Sequence, residues 1–394
     1  RSSDGMVGGF VRSQFPMTVL MPFVLWLLVN TVLKLVWPRV SLRQGELLTI
    51  LCMTWVVGTI PNQGWMNYAV PMLAAPTYYA TNVNLWADSF FGYLPWHVFA
   101  KTSEDVIDIF WLGAGKEVQV PWEGWLLPAA HWLGASMAMV ILGFCLFALF
   151  QRQWVEAERL TFPLAQMPLD LTRGFDGTRR LPDLFRSGLF WIGFGVVFLP
   201  LSYNIASYFS PGFHPLQFFI GYLQLAPGDP FPALVIRLMP LVLAVVYLCP
   251  LDILGSLLFF YLLAYFKEAL MVRTGFSVGM SGQEIGDVEI LHLESYGALI
   301  FIAFWSIWLA RNHLRSVWRL VSSGDGNPGE VSQYRTLVVG LLLSAGCLVG
   351  WVMGLGASLG TAVGLLLLMV LGYLAIVKMI AATGMAYLYM PIAH

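Results

Sequence analysis

Runs of about twenty apolar residues recur along this chain with almost no charge inside them, and that feature limits its fold more than any motif does. A helix that crosses a bilayer needs roughly 20 such residues. Phe15 to Trp37 is the first run, interrupted by Asn30 and Lys34 near its end. Met6 to Leu20 does not read as a signal peptide, because its apolar run continues to about Trp37 with no small-residue cleavage site. The first residue is Arg1, which reads as a processed or excerpted N-terminus. Composition agrees with the runs: 58% of residues are hydrophobic and 11% charged, against about 25% charged in a soluble chain. The fold class expected is all-α: a polytopic transmembrane helix bundle, one integral membrane domain over residues 1–394, with the lipid bilayer as partner. A net charge of −1 gives no reason to expect nucleic acid.

About nine spans are expected. Glu46 to Ala80 is too long for one straight helix and breaks at Gly58-Thr59-Ile60-Pro61-Asn62-Gln63-Gly64. Either a span ends there or the helix is discontinuous within the membrane. Thr81 to Glu123 is polar and tryptophan-rich, and its rings suit an ordered cap or an interfacial belt. Gly124 to Phe150 is a span, and 151–186 is a loop with six arginines. Ser187 to Phe209 follows, then a loop to Pro232. Ala233 to Val272 reads as two spans joined by a tight turn at Pro250 and Asp252. The remaining spans start near Tyr296, Leu337 and Thr361. No internal repeat is visible.

Lys and Arg set membrane orientation. Lys34, Arg39, Arg43, the six-arginine loop, Arg311, Arg315, Arg319, Arg335 and Lys378 fall on one side of such a bundle. The loops at 81–123, 210–232 and 274–295 fall on the other side with two lysines, Lys101 and Lys116. The basic side is expected to be cytoplasmic, in a bacterial inner membrane, with the N-terminus outside and 81–123 extracytoplasmic.

Polar groups inside spans are expensive and therefore mark candidate sites. Asn62, Gln63, Asn67 and Tyr68 surround the Pro61/Gly64 break, and broken helices are where transporters hold solutes. Tyr203 and Asn204 either line a cavity or bond one helix to another. Asp252 is either an ion-coupling carboxylate or a helix cap. His131 reads as a hydrogen-bonded packing residue. The single cysteines lack metal or redox spacing. Gly356-Ala357-Ser358-Leu359-Gly360 has the letters of a nucleophile elbow but lies between apolar helices, not after a strand. No catalytic residue, cofactor or resident metal is expected, and no enzyme activity.

The segment 151–171, QRQWVEAERLTFPLAQMPLDL, packs Glu156, Glu158 and Arg159 into one turn and then becomes apolar through Phe162. Pro163 and Pro168 argue against a regular helix there. A proline-broken, re-entrant or interfacial segment is expected, packed back against the spans because Leu160, Phe162, Leu164, Ala165 and Met167 are too apolar to leave in water. Gln166 would then be the polar contact. Trp154, Glu158, Leu160, Phe162 and Pro163 resemble the Glu-x-Leu-x-Phe-Pro loop of the oligopeptide transporter family. They are closer still to uncharacterised prokaryotic membrane proteins distantly related to it. Gln166-Met167-Pro168 stands where that family usually has a glycine-rich tract. The resemblance implies a secondary transporter, or part of one, for a small organic solute such as a peptide or metal chelate. Asn62, Gln63, Asn67, Tyr68, Gln166, Tyr203 and Asn204 would contact the solute, and Glu158 and Asp252 would couple an ion. The alternative is a non-catalytic subunit of a larger membrane complex, or a homo-oligomer.

Overall fold

The computed structural model describes residues 17–58, 70–100, 104–113, 119–177, 182–209, 212, 214, 216, 223–236, 240–279 and 286–384. Among them are 13 α-helices: α1 (Met17–Val36), α2 (Gln44–Gly58), α3 (Val70–Tyr79), α4 (Trp86–Ser89), α5 (Glu104–Leu112), α6 (Glu123–Arg152), α7 (Pro163–Thr172), α8 (Gly188–Phe209), α9 (Pro240–Tyr247), α10 (Leu251–Thr274), α11 (Asp287–Ser323), α12 (Pro328–Gly354) and α13 (Leu359–Thr383). Two three-residue strands, β1 (Leu223–Leu225) and β2 (Leu234–Ile236), pair antiparallel with Leu223 opposite Ile236. The protein is an all-α polytopic bundle, and among the described residues seven helices (α1, α6, α8 and α10 to α13) are long and apolar enough to cross a membrane.

Two of the expected spans are not among those seven. The apolar run after Glu46 contains α2 and the ten-residue α3, but residues 59–69 between them lie outside the described residues. The 233–272 run differs from expectation. Its first half holds β2 and the eight-residue α9, and only its second half is a long helix. Residues 237–239 before α9 lie outside the described residues, and Pro250 is the N-cap residue of α10. Eight residues rise only about 12 Å, well short of a hydrocarbon core of about 30 Å.

The chain divides into two compact units. The first comprises 1–59, 160–298 and 378–394. Its core joins Val19, Phe23 and Leu27 of α1 to Leu47 and Leu51 of α2 and to Phe175. The four-residue spacing puts each set on one helix face. Leu164, Met167 and Leu171 of α7 pack against this core, so α7 is amphipathic at the period a helix requires. Pro163 and Pro168 therefore do not prevent a helix. Pro163 is the first helical residue, where a missing N–H costs nothing. Pro168 removes one ladder bond, and its own carbonyl accepts a 2.7 Å bond from the Thr172 hydroxyl.

The second unit comprises 60–159 and 299–377. Its axis is the α6–α12 pair. Ala138, Leu142 and Leu348 form the centre, with Leu366, Met369, Val370 and Tyr373 of α13 against it. Small residues let the backbones approach. A Cβ added to Gly340 would stand 2.9 Å from Cys145 Sγ. Under α6, Leu73 and Ala74 of α3 pack with Ala100, Val106 and Ile107, and with Tyr78, Trp111, Trp125 and Trp132. The described part of the tryptophan-rich stretch thus has a small core of its own, in which Tyr78 and Trp111 stack at 4.8 Å.

Candidate functional site

The stretch from Arg152 to Thr172 changes backbone state four times. α6 ends at Arg152 and loosens into a π-turn, Gln153–Ala157, which is closed by the Glu158 N–H donating to Gln153 O at 2.9 Å. A π-turn inside a helix is rare and often functional. Arg159 (φ 51°) and Phe162 (φ 45°) then adopt the left-handed region without being glycine. Each such residue costs roughly 1–3 kcal/mol and persists only where its surroundings over-determine it. What holds Phe162 is visible in the first unit: its N–H donates to Ala381 O at 3.0 Å, and the Thr161 hydroxyl reaches Ala382 O at 3.3 Å. At the other end, Trp154 is fully buried against Phe147 and Phe150.

Past α7, the turn at 173–177 is clasped by side chains from α1 and the α1–α2 corner. Lys34 is buried, and its Nζ donates to Gly174 O at 2.8 Å and Phe175 O at 2.6 Å. It also lies 5.5 Å from the centre of the Phe175 ring. Its charge meets the carbonyl end of α7, where cations are favoured. The Gln44 N–H donates to Asp176 Oδ1 at 2.8 Å, and Gln44 Nε2 donates to Thr172 Oγ1 at 3.3 Å. Asn30 bonds Leu42 twice, at 3.0 and 2.7 Å, and fixes the corner itself. From sequence, Asn30 reads only as an interruption of the run, and Lys34 as an interruption and a basic-side marker. Their i, i+4 spacing on one helix face was the available signal, but the partner 140 residues away was not legible.

The second unit carries a polar cleft of about 370 Å³ at the meeting of α6 and α12, with Gln151, Arg152, Glu156, Glu330, Gln333 and Tyr334 in its wall. Arg152 is its hub, bonding Glu156 at 3.0 Å and Glu330 at 2.8 Å. Sequence reading singled out Glu156 but had no route to Glu330.

The residues proposed from sequence are not gathered in one place. Asn62, Gln63, Asn67 and Tyr68 lie outside the described residues. Gln166 is on the exposed face of α7, its Nε2 3.5 Å from Thr161 O. Glu158 is half-buried and accepts a 3.4 Å bond from Gln153 Nε2. Asn204 is buried, and its side chain bonds the Leu216 backbone both ways, at 2.9 and 2.7 Å. That arrangement ties the end of α8 to Leu216 of the following loop. Tyr203 beside it is on the partly exposed side. Asp252 lies in the first turn of α10, two residues past the N-cap Pro250, and is exposed. Burial beside it pushes the Cys249 thiol above its ordinary range, with the Asp252 carboxylate adding to the effect.

One protein-family model, a family of unknown function designated DUF6785, matches residues 9–393. No curated protein and no solved structure matches.

Proposed function

The chain belongs to the family of unknown function DUF6785, and from that premise we propose that it is a secondary transporter of the oligopeptide-transporter-like kind, or part of one. It moves a small organic solute, such as a peptide or a metal chelate, across a bacterial inner membrane, coupled to an ion. The N-terminus lies outside and the arginine-rich 151–186 stretch faces the cytoplasm. The observation that carries this reading is the segment Glu158–Thr172. Between long apolar helices the chain leaves helical geometry at two strained residues, bonds the end of α13, and resumes as a short helix packed by its apolar face. Broken elements of this kind are where transporters hold solutes and ions. Irregular backbone among spans is tolerated only against protein or a wet cavity. Gln166 on the exposed face of α7 is the solute contact in this reading, and Glu158 is a coupling carboxylate.

A second reading, a structural subunit of a larger membrane complex or a homo-oligomer, draws support from α8 and α10. Each has only 6% of its apolar window buried within the chain. One experiment separates the two. The purified full chain is reconstituted in liposomes and challenged with labelled di- and tripeptides and metal chelates under an imposed proton or sodium gradient. Gradient-dependent accumulation that is lost in Gln166→Ala supports transport. No flux for any solute, from a protein isolated only with fixed partners, favours the subunit.

A further inference from the structure

Two imidazoles that are distant in the chain meet in the second unit. His97 sits in the 3₁₀ turn Trp96–Val98 and His131 in the third turn of α6, yet their ring centroids are 5.0 Å apart at an interplanar angle of 61°. Both are half-buried. Their immediate neighbours clamp them. The Trp132 indole N–H donates to Val98 O at 3.1 Å, and the Ala100 N–H donates to Leu73 O at 2.9 Å. Trp132 is braced in turn by the Trp351 ring, 5.1 Å away. The pair is therefore held by bonds that flank it on both chain segments. Among the described residues, neither ring makes a hydrogen bond to protein, so the expectation of a hydrogen-bonded His131 is not met there.

We propose that His97 and His131 form a two-imidazole site for one divalent transition-metal ion of the zinc–copper class. Neutral imidazole suits these ions. An ion about 2.0–2.1 Å from one nitrogen of each ring holds the ring centres roughly 5 Å apart, which is the separation already present before any ion binds. Unbonded nitrogens on a fixed frame need no partner to be displaced and little reordering. Among the described residues no group of three or more His, Cys, Asp or Glu side chains gathers to hold a metal, and in this proposal water or a donor atom of a solute takes the remaining positions. This open coordination is what distinguishes the site from a closed structural one.

The test uses the tag-free full chain in detergent, stripped with chelator and titrated with Cu²⁺ and, separately, Zn²⁺. One equivalent is expected to bind, with electron paramagnetic resonance of the Cu²⁺ form reporting two imidazole nitrogens. His97→Ala and His131→Ala should each weaken binding by about tenfold or more, since loss of even a supporting group costs 10–100-fold, while His214→Ala leaves it unchanged. If either alanine variant loses its monodisperse elution profile, the glutamine variants replace it, and the wild-type spectrum decides independently. The proposal is overturned if the wild type gives no two-nitrogen signal, or if the double variant binds as tightly as the wild type. Either outcome would mean that the rings merely pack edge to face.

Discussion

The two units hold their helices together by different means. In the second, α6 meets α12 along a seam of small and apolar side chains, with Ala138, Leu142, Cys145, Gly340, Ser344 and Leu348 among its members. In the first, α1, α2 and α7 share an apolar core, but polar contacts cross to the turn after α7: the Lys34 side chain donates to the Gly174 and Phe175 carbonyls, the Gln44 backbone N–H donates to the Asp176 carboxylate, and Gln44 Nε2 donates to the Thr172 hydroxyl. The difference follows from what each contact must satisfy. Helices close their own backbone bonds and need only shape from a neighbour. A turn beside an apolar core leaves carbonyls open, and something must donate to them. The first unit spends buried polar side chains because it houses irregular chain.

That contrast breaks most decisively at Lys34. Lys34→Met keeps the stem but leaves two carbonyls without their donor, at about 1–3 kcal/mol each. The expected loss, roughly 2–6 kcal/mol from both together, is read from unfolding of the purified protein in detergent. Next comes Trp154, fully buried where α6 loosens. Trp154→Ala should cost about 3–5 kcal/mol as a buried aromatic truncation. Trp154→Phe should cost much less, since the indole N–H has no partner among the described residues.

The seam of the second unit is sharpened by Gly340→Ala. The new methyl meets Cys145 Sγ, and overpacking of this kind costs about 1–3 kcal/mol. Cys145→Ala should recover most of that loss, and a double-mutant cycle on unfolding midpoints measures the coupling. The smallest effect is expected at the mouth of the cleft. Arg152 and its partner Glu156 are more than half exposed, and pairs of this kind contribute little. Arg152→Gln should leave the midpoint unchanged within error.

The helices that form the seam were legible in the sequence, but their pairing and the clasp were not. Gly124 to Phe150 and Leu337 to Gly356 are unbroken apolar runs, and length alone identifies them as helices. The partners of Lys34 lie in a turn 140 residues later, and neither hydropathy nor charge counting joins them. Residues 163–172 are a helix in spite of their two prolines. Two prolines argued against a helix, yet one sits at a position that suits it and the other costs a single bond. The apolar spacing of Leu164, Met167 and Leu171 was the better guide. In the 233–272 run, length suggests two spans, while β2 at Leu234–Ile236 and the N-cap Pro250 of α10 leave no room for a full span in the first half. Asn204 shows the remaining gap: an intramembrane polar residue marked a real interaction, but sequence could not tell a loop tether from a solute contact.

The account turns on residues 160–172 being a packed element of the first unit with one wet face. Single cysteines at Gln166, Leu164 and Met167, in a chain lacking its native cysteines, can be reacted with a water-soluble maleimide in native membranes. The account predicts rapid labelling at Gln166→Cys and strong protection at Leu164→Cys and Met167→Cys, because α7 turns those two onto the core of α1 and α2. Equal rates at all three positions would contradict it.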